Sequence, residues 1–344
     1  MCSLHENPLI RPAHMGSVAV IGGGSWATAL AKLLMNNNER IGWYIRRRES
    51  INEFIKYGRN PSYLTDVRFD PVRIDFSDDI NEVIERADTL VVAVPSPYFK
   101  PTADMIKVPL EGKAIVSAVK GIVPDRNMIV TDYLQEVFGV SRDRLMVIGG
   151  PCHAEEVALE RLSYLTIGGE NRALTEGFAS LIAGKKMKTI LSDDIDGIEY
   201  GAVLKNVYGI AGGIVQGMKA GDNFMAMLIS NAIREMRRFV DTIAPMPRDI
   251  CRSAYLGDLL VTGYSRFSRN HNFGAMIGKG YSVKAAKMEM DMVAEGYYGT
   301  KCIYEINSRP DLKVDMPILD CMYDILYRDV RASKAFERVS ETFR

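Results

Sequence analysis

Val18-Ala19-Val20-Ile21 runs directly into Gly22-Gly23-Gly24-Ser25-Trp26-Ala27 and continues as Thr28-Ala29-Leu30. A short β-branched apolar run, then G-x-G-x-x-A, then the start of an apolar helix is the strand–turn–helix that opens a dinucleotide-binding βαβ unit. Gly22 is expected to make the tight turn. Gly24, having no Cβ, lets the backbone come close to a pyrophosphate, and Ala27 lets helix and strand pack closely. The helix N-terminus adds partial positive charge for the phosphates. Taken without its context, the motif would also fit a glycine turn that binds nothing.

Working outward, residues 41–45, 90–94, 114–118, 145–148, 164–167 and 187–191 read as further strands. Most are nearly continuous in apolar residues, as strands covered on both faces must be. Residues 25–37, 48–57, 80–86 and 127–138 carry a helical period between them. Such alternation predicts right-handed crossovers and a parallel, doubly wound sheet. The rhythm changes after Ser192. Asp193-Asp194-Ile195-Asp196 is rich in helix-capping residues, and 198–219, 226–243 and 282–295 read as long helices. The expected architecture is α/β plus all-α. A Rossmann domain covers residues 17–192 and a helical substrate domain covers 193–344. Residues 1–16, which include His5, Pro8, Arg11 and His14 and lack the apolar centre of a signal peptide, are expected to be a loosely ordered extension.

Composition narrows the function classes. Of 344 residues, 43 Lys+Arg balance 43 Asp+Glu, so the formal net charge is zero. Nucleic acid and acidic membranes both call for a surplus of positive charge that is missing here. With 47% hydrophobic and 25% charged residues, a sizeable core is expected rather than disorder. No apolar run approaches the roughly 20 residues needed to cross a bilayer. Cys2, Cys152, Cys251, Cys302 and Cys321 are scattered and form no C-x-x-C. Reduced, inert thiols in a cytoplasmic protein are therefore expected, without disulfides or a metal site.

Polar residues cluster where strands end, the place where open α/β sheets bind ligands. After the second strand, Arg46-Arg47-Arg48 occupies the region in which an acidic residue would hold a ribose 2′-hydroxyl, and Glu49 comes only afterwards. Guanidinium forks suit a 2′-phosphate, so acceptance of NADPH is expected. A solvated basic helix start is the competing reading for any one of the three arginines. Lys120 follows the strand at 114–118, and Gly149-Gly150-Pro151-Cys152-His153-Ala154 follows that at 145–148.

The segment 201–213 reads as an apolar helix with Lys205 and Asn206 embedded in it, and Gly201, Gly209 and Gly212 share the lysine's face. Each interior glycine costs roughly 0.8–1 kcal/mol relative to alanine. The expectation is that the glycines clear room for a ligand beside a desolvated lysine able to donate or accept a proton. The competing reading is that they permit close helix packing while Lys205 reaches out to water. Asp258, between apolar neighbours, is either buried with a partner or in a turn. Ser265 to Gly274 gathers Arg266, Ser268, Arg269, Asn270 and Asn272, a set of donors suited to phosphate. Glu295 stands beside Gly296. His153 and His271 are expected to be structural.

In this order the motifs at 22–30, 117–121, 149–155, 201–207, 257–259 with 268–274, and 295–301 resemble the bacterial type of NAD(P)-dependent sn-glycerol-3-phosphate dehydrogenase. The resemblance implies a reversible hydride transfer between NADPH or NADH and dihydroxyacetone phosphate, with Lys205 as general acid/base. It implies substrate contacts from Lys120, Gly150, Cys152, Lys205, Asp258, Ser268, Arg269 and Asn270. Cofactor contacts would come from Gly22, Gly24, Ser25, Trp26, Arg46, Arg47, Lys120, Ala154, Arg269, Val293 and Glu295. Asn206 and Thr262 would stand behind them. A homodimer, no metal, and a supply of glycerol phosphate for phospholipids are further implications.

Four departures accompany the resemblance. Ala27 replaces a glycine, Cys152 stands where Ser or Thr is usual, Ala202-Val203 is bulky enough to narrow the pocket, and the 1–16 extension has no counterpart. Two other functions compete with it: a dehydrogenase of another small hydroxy acid or ketone, which would leave the donors at 265–272 idle, and a nucleotide sensor without turnover, which would have no need of Lys205.

Overall fold

The computed structural model describes residues 12–265, 267–290, 292 and 294–344, so that Cys2, Arg266 and Val293 lie outside the described residues. Eight strands form one sheet: β1 (Val18–Ile21), β2 (Ile41–Tyr44), β3 (Ile74–Ser77), β4 (Thr89–Val92), β5 (Ala114–Ser117), β6 (Leu145–Gly149), β7 (Ser163–Gly168) and β8 (Met187–Ser192). Their order is β3-β2-β1-β4-β5-β6-β7-β8. Every residue of β1, β4, β5 and β6 is buried, as their unbroken apolar character requires.

The expectation of a wholly parallel sheet needs one correction, because β6 and β7 are antiparallel. The link between them holds only the five-residue helix α6 (Ala154–Ala158), and the chain folds back beside β6 instead of crossing the sheet. The edge strand β3 was not anticipated. Its Asp75 points outward and pairs with Arg40, so the run carries no apolar signature.

Helices cover both faces. The helices α1 (Ser25–Asn37), α2 (Arg48–Tyr57) and α3 (Ile80–Arg86) have the expected bounds. The others in this half are α4 (Ser96–Ala103), α5 (Val130–Phe138) and α7 (Arg172–Ile182). On one face Val20, Trp43, Val91 and Met146 of the sheet pack with Leu30, Leu34 and Phe178. On the other Ile21, Leu90 and Ile115 pack with Ile80, Phe99 and Leu134. Part of the expected loose extension is held. Ala13 N donates to Ala173 O at 2.9 Å, Thr89 Oγ1 donates to Met15 O at 2.6 Å, and the Met15 side chain is buried over Gly177.

Beyond Ser192, every regular element among the described residues is helical: α8 (Ile195–Gly217), α9 (Asp222–Ile243), α10 (Asp258–Tyr264), α11 (Arg269–Gly278), α12 (Val283–Met288), α13 (Glu295–Asn307), α14 (Pro317–Tyr327) and α15 (Ala332–Ser340). The helix expected over 282–295 is divided into α12 and α13. Lys287 Nζ of α12 stands 4.1 Å from the centre of the Tyr297 ring of α13. Helix α8 is buried on all sides from Gly197 to Val215, which explains why it is apolar all round rather than striped. Its N-cap Asp194 accepts from Gly197 N at 2.9 Å and is paired with Arg248 at 2.8 Å. Among the described residues no helix is long and apolar enough to cross a membrane.

Candidate active site

The glycine turn comes first in the chain. Gly22 has φ +128°, and a Cβ there would lie 2.6 Å from Ala93 O, so only glycine is accommodated. The indole of Trp43 donates to Gly22 O at 2.7 Å, and Asn60 Nδ2 donates to Gly23 O at 3.1 Å, which holds the turn from below. Gly24 is different. A Cβ built on it meets nothing within 4 Å, so packing within the protein does not require a glycine there. Its bare Cα faces open space at the start of α1, where the first N–H groups of a helix lack partners within the helix. That is the arrangement a close-lying phosphate needs.

Three adjoining hollows run from this turn. One, about 900 Å³, is lined by Gly22 to Gly24, Arg46, Arg47, Asn60 and Tyr63. The next, about 800 Å³, is lined by Gly24, Ser25, Trp26, Lys120, Arg269 and Glu295. The third, about 640 Å³, is lined by Trp26, Lys120, Cys152, His153, Ala154, Lys205, Asn206, Thr262, Ser268, Arg269, Asn270 and Glu295. Each shares lining residues with the next, so together they form one trough from the arginines to Lys205. An elongated dinucleotide fits this shape. One end would meet Arg46 and Arg47, the middle the bare Gly24, and the nicotinamide end Lys120 and Glu295. Arg48 is turned aside to Asp78 at 3.4 Å and does not line the trough.

Lys205 is the buried end of the trough. It is 4% exposed, and its Nζ lies 2.5 Å from Oδ1 of Asp258, itself 1% exposed. Burial pulls the lysine down to about 8, Asp258 opposes that shift, and the neighbouring Lys120 ammonium adds to it. Asp258 is the first residue of α10, directly after a stretch of π-helix at Ser253–Gly257. Interruptions of this kind recur at functional sites. The second carboxylate oxygen, Oδ2, is buried without a hydrogen-bond partner.

The expectation that glycines on α8 clear space for a ligand is corrected. They admit other helices. A Cβ on Gly201 would lie 3.2 Å from the Tyr255 ring, and one on Gly209 2.8 Å from Thr262 Cγ2. A Cβ on Gly212 would meet Gly263 O at 3.3 Å, and one on Gly213 would run into His271 O. The alternative is overturned in its other half as well, since Lys205 does not reach out to water. Close packing is what carries Thr262 and Asn270 to the lysine. Ala202 and Val203 do not line the cavity. Val203 packs against Gly299, so the expected narrowing does not occur.

Around Lys205 most of the sequence-derived residues converge. Asn206 Nδ2 donates to Lys120 O at 2.7 Å and holds the Lys120 loop. Lys120 Nζ stands 5.0 Å from the Trp26 ring centre and 3.5 Å from Cys152 O. Ser268 caps α11, with its Oγ accepting from His271 N at 3.2 Å. Asn270 Oδ1 accepts from Gly296 N at 2.9 Å, which leaves its amide donors free for a ligand. Arg269, at the start of α11, has no ion pair among the described residues.

Glu295 Oε2 is buried without a partner beside Ser96 and Gly121; burial raises its pKa, with Ser96 and Arg269 opposing. Burial lifts the Cys152 thiol to about 12 and keeps it neutral. Gly150 lies outside the cavity lining. Its φ of +107°, with Tyr164 O 3.2 Å from a Cβ, accounts for the glycine there through the backbone.

The two histidines part company. His271 bonds Gln216 Oε1 through Nε2 at 2.7 Å, its Nδ1 is buried without a partner among the described residues, and it does not line the cavity, which fits a structural role. His153 lines the cavity with its Nε2 buried and unpartnered. The sequence reading expected it, like His271, to be structural.

The model for the N-terminal part of NAD-dependent glycerol-3-phosphate dehydrogenase matches residues 17–175, and that for its C-terminal part matches residues 194–337. A glycerol-3-phosphate dehydrogenase [NAD(P)+] of Bacillus pumilus is 32% identical over 94% of this chain and 93% of its own. One from Staphylococcus carnosus is 31% identical over 92% and 95%. A crystal structure of a glycerol-3-phosphate dehydrogenase from Coxiella burnetii superposes with TM-score 0.86 at 26% identity, covering 95% of this chain and 99% of that one.

Proposed function

The chain belongs to the NAD-dependent glycerol-3-phosphate dehydrogenase family, and on that premise we propose that it interconverts dihydroxyacetone phosphate and sn-glycerol 3-phosphate with Lys205 as general acid/base. The observation that carries the reading is the buried Lys205–Asp258 pair at the closed end of the trough. A pKa of about 8 lets Lys205 hold a proton at neutral pH and release it without a large penalty. Held in this trough, a nicotinamide would supply the hydride in reduction and take it back in oxidation. Lys205 protonates the oxygen that develops at C2 and recovers the proton in the reverse direction.

Asp258 keeps the ammonium charged and fixes its position. Arg269, assisted by the donors of Asn270 and the N-terminus of α11, holds the phosphate. Lys120, over Trp26, lies between the two regions. Cys152 supplies only a weak donor. Arg46 and Arg47, with no carboxylate among the cavity-lining residues around them, favour NADPH over NADH. Gly22, Ser25, Ala154 and Glu295 complete the cofactor wall; Val293 is assigned there by resemblance alone.

We further propose two domains, at 17–192 and 193–344, a homodimer in the cytoplasm, and a role in supplying glycerol phosphate for phospholipids. The test is the fall in NADPH absorbance when dihydroxyacetone phosphate is added to the purified protein. Lys205→Ala is expected to lose roughly 10²–10⁴-fold in turnover while retaining cofactor binding. Wild-type turnover by that variant would remove the assignment.

A further inference from the structure

The third hollow is unbalanced in its hydrogen-bonding chemistry. Lys120, Lys205, Arg269 and the Trp26 indole can only donate. Of the acceptors, Asn270 Oδ1 and Ser268 Oγ are already accepting from backbone N–H groups and Glu295 also lines the second hollow, beside the cofactor wall, which leaves Glu155, the Thr262 hydroxyl and His153. Such a wall suits a phosphate and a carbonyl oxygen, which only accept. A substrate hydroxyl also has a proton to give away, and burying it without an acceptor costs about 1–3 kcal/mol. His153 lies in the same wall, opposite the ring of Phe267 at 6.2 Å between centres, and its Nε2 has no hydrogen-bond partner among the described residues.

We propose that His153 binds the hydroxyl at C1 of the three-carbon substrate through its ring Nε2, which orients C2 toward Lys205. The assignment rests on the dehydrogenase reading above and adds a residue to it. Three oxygen functions of the substrate then have three separate receivers: the phosphate has Arg269, the C2 oxygen has Lys205, and the C1 hydroxyl has His153. Burial, together with the Lys205 and Lys120 ammoniums, holds the ring down to about 4, so it is neutral at pH 7 and keeps a lone pair. The same shift makes it a poor proton donor in that range, which separates its role from that of Lys205.

The experiment compares dihydroxyacetone phosphate with its analogue lacking the C1 hydroxyl, hydroxyacetone phosphate, in NADPH oxidation. Wild type is expected to lose about tenfold or more in kcat/KM on the analogue. His153→Ala is expected to lose a similar factor on dihydroxyacetone phosphate, mostly in KM, and to treat the two substrates nearly alike. His153→Gln, whose side-chain amide reaches the position of Nε2, is expected to recover part of the discrimination. NADPH affinity, followed by protein fluorescence, should be unchanged in both variants. If His153→Ala and His153→Gln discriminate as strongly as wild type, the assignment is wrong while the dehydrogenase reading stands. If wild type oxidises NADPH with neither substrate, the dehydrogenase reading falls and takes this one with it.

Discussion

Replacing Asp258 by Asn gives the sharpest reading of the acid–base machinery. Lys205 titrates near 8 because burial lowers it and Asp258 holds it up. With that pKa, about 90% of the lysine is protonated at pH 7. An opposite charge this close accounts for about 1–3 pKa units. Removing it moves Lys205 toward about 6, and the protonated fraction at pH 7 falls to about a tenth.

The sign follows from what each direction consumes. With Lys205 in the proposed acid/base role, ketone reduction uses the ammonium, so its rate is retained below the lysine pKa and lost above it. Alcohol oxidation uses the amine and gains above the same point. In Asp258→Asn the descending limb of kcat for reduction should shift to lower pH by one unit or more, and the rising limb for oxidation should shift with it. The deficit in reduction would be about tenfold at pH 7 and would shrink as the pH is lowered. The assay is a pH profile of kcat in both directions by NADPH absorbance. A loss of the same size at every pH, with the limb left in place, would refute the reasoning and leave Asp258 with a purely structural role.

Replacing Arg46 and Arg47 together by Ser should raise the KM for NADPH about 10–100-fold and change that for NADH by only a few fold, given about 1.5–3 kcal/mol for hydrogen bonds to a charged group; steady-state kinetics with both cofactors checks this. Gly24→Ala should leave the urea midpoint of the protein unchanged, since the new methyl meets no protein atom, yet weaken NADPH binding tenfold or more by occupying the phosphate's approach. Gly274→Ala should behave in the opposite way. Its Cβ would collide with Ile210 O, and a loss of about 1–3 kcal/mol or more in stability by urea denaturation is expected.

The parts legible in the sequence were those whose physics is local. The bounds of α1, α2 and α3 follow from apolar period and turn residues a few positions apart. So does the Gly22–Ala27 turn. What was illegible depends on partners distant in sequence. Apolar period carries no direction, so the reversal at β7 left no mark. Polar Asp75 concealed β3, because an edge strand can turn such a residue outward. The glycines of α8 looked like room for a ligand; only the arrival of α10 and α11 shows what fills it. His153 was expected to be structural, since an unpartnered ring nitrogen is a property of its surroundings in space.

The contact between α8 and α11 has one more consequence. Gly213 lies against His271 O, Gly274 against Ile210 O, and Gly278 against Ile214 O, so the two helices touch main chain to main chain. Lys205 projects from one and Arg269 from the other. With no side chains between these helices to flex, the proposed assignment of the carbonyl to Lys205 and the phosphate to Arg269 would make the pair a fixed caliper, and a carbonyl and a phosphate one carbon too far apart would not span its jaws.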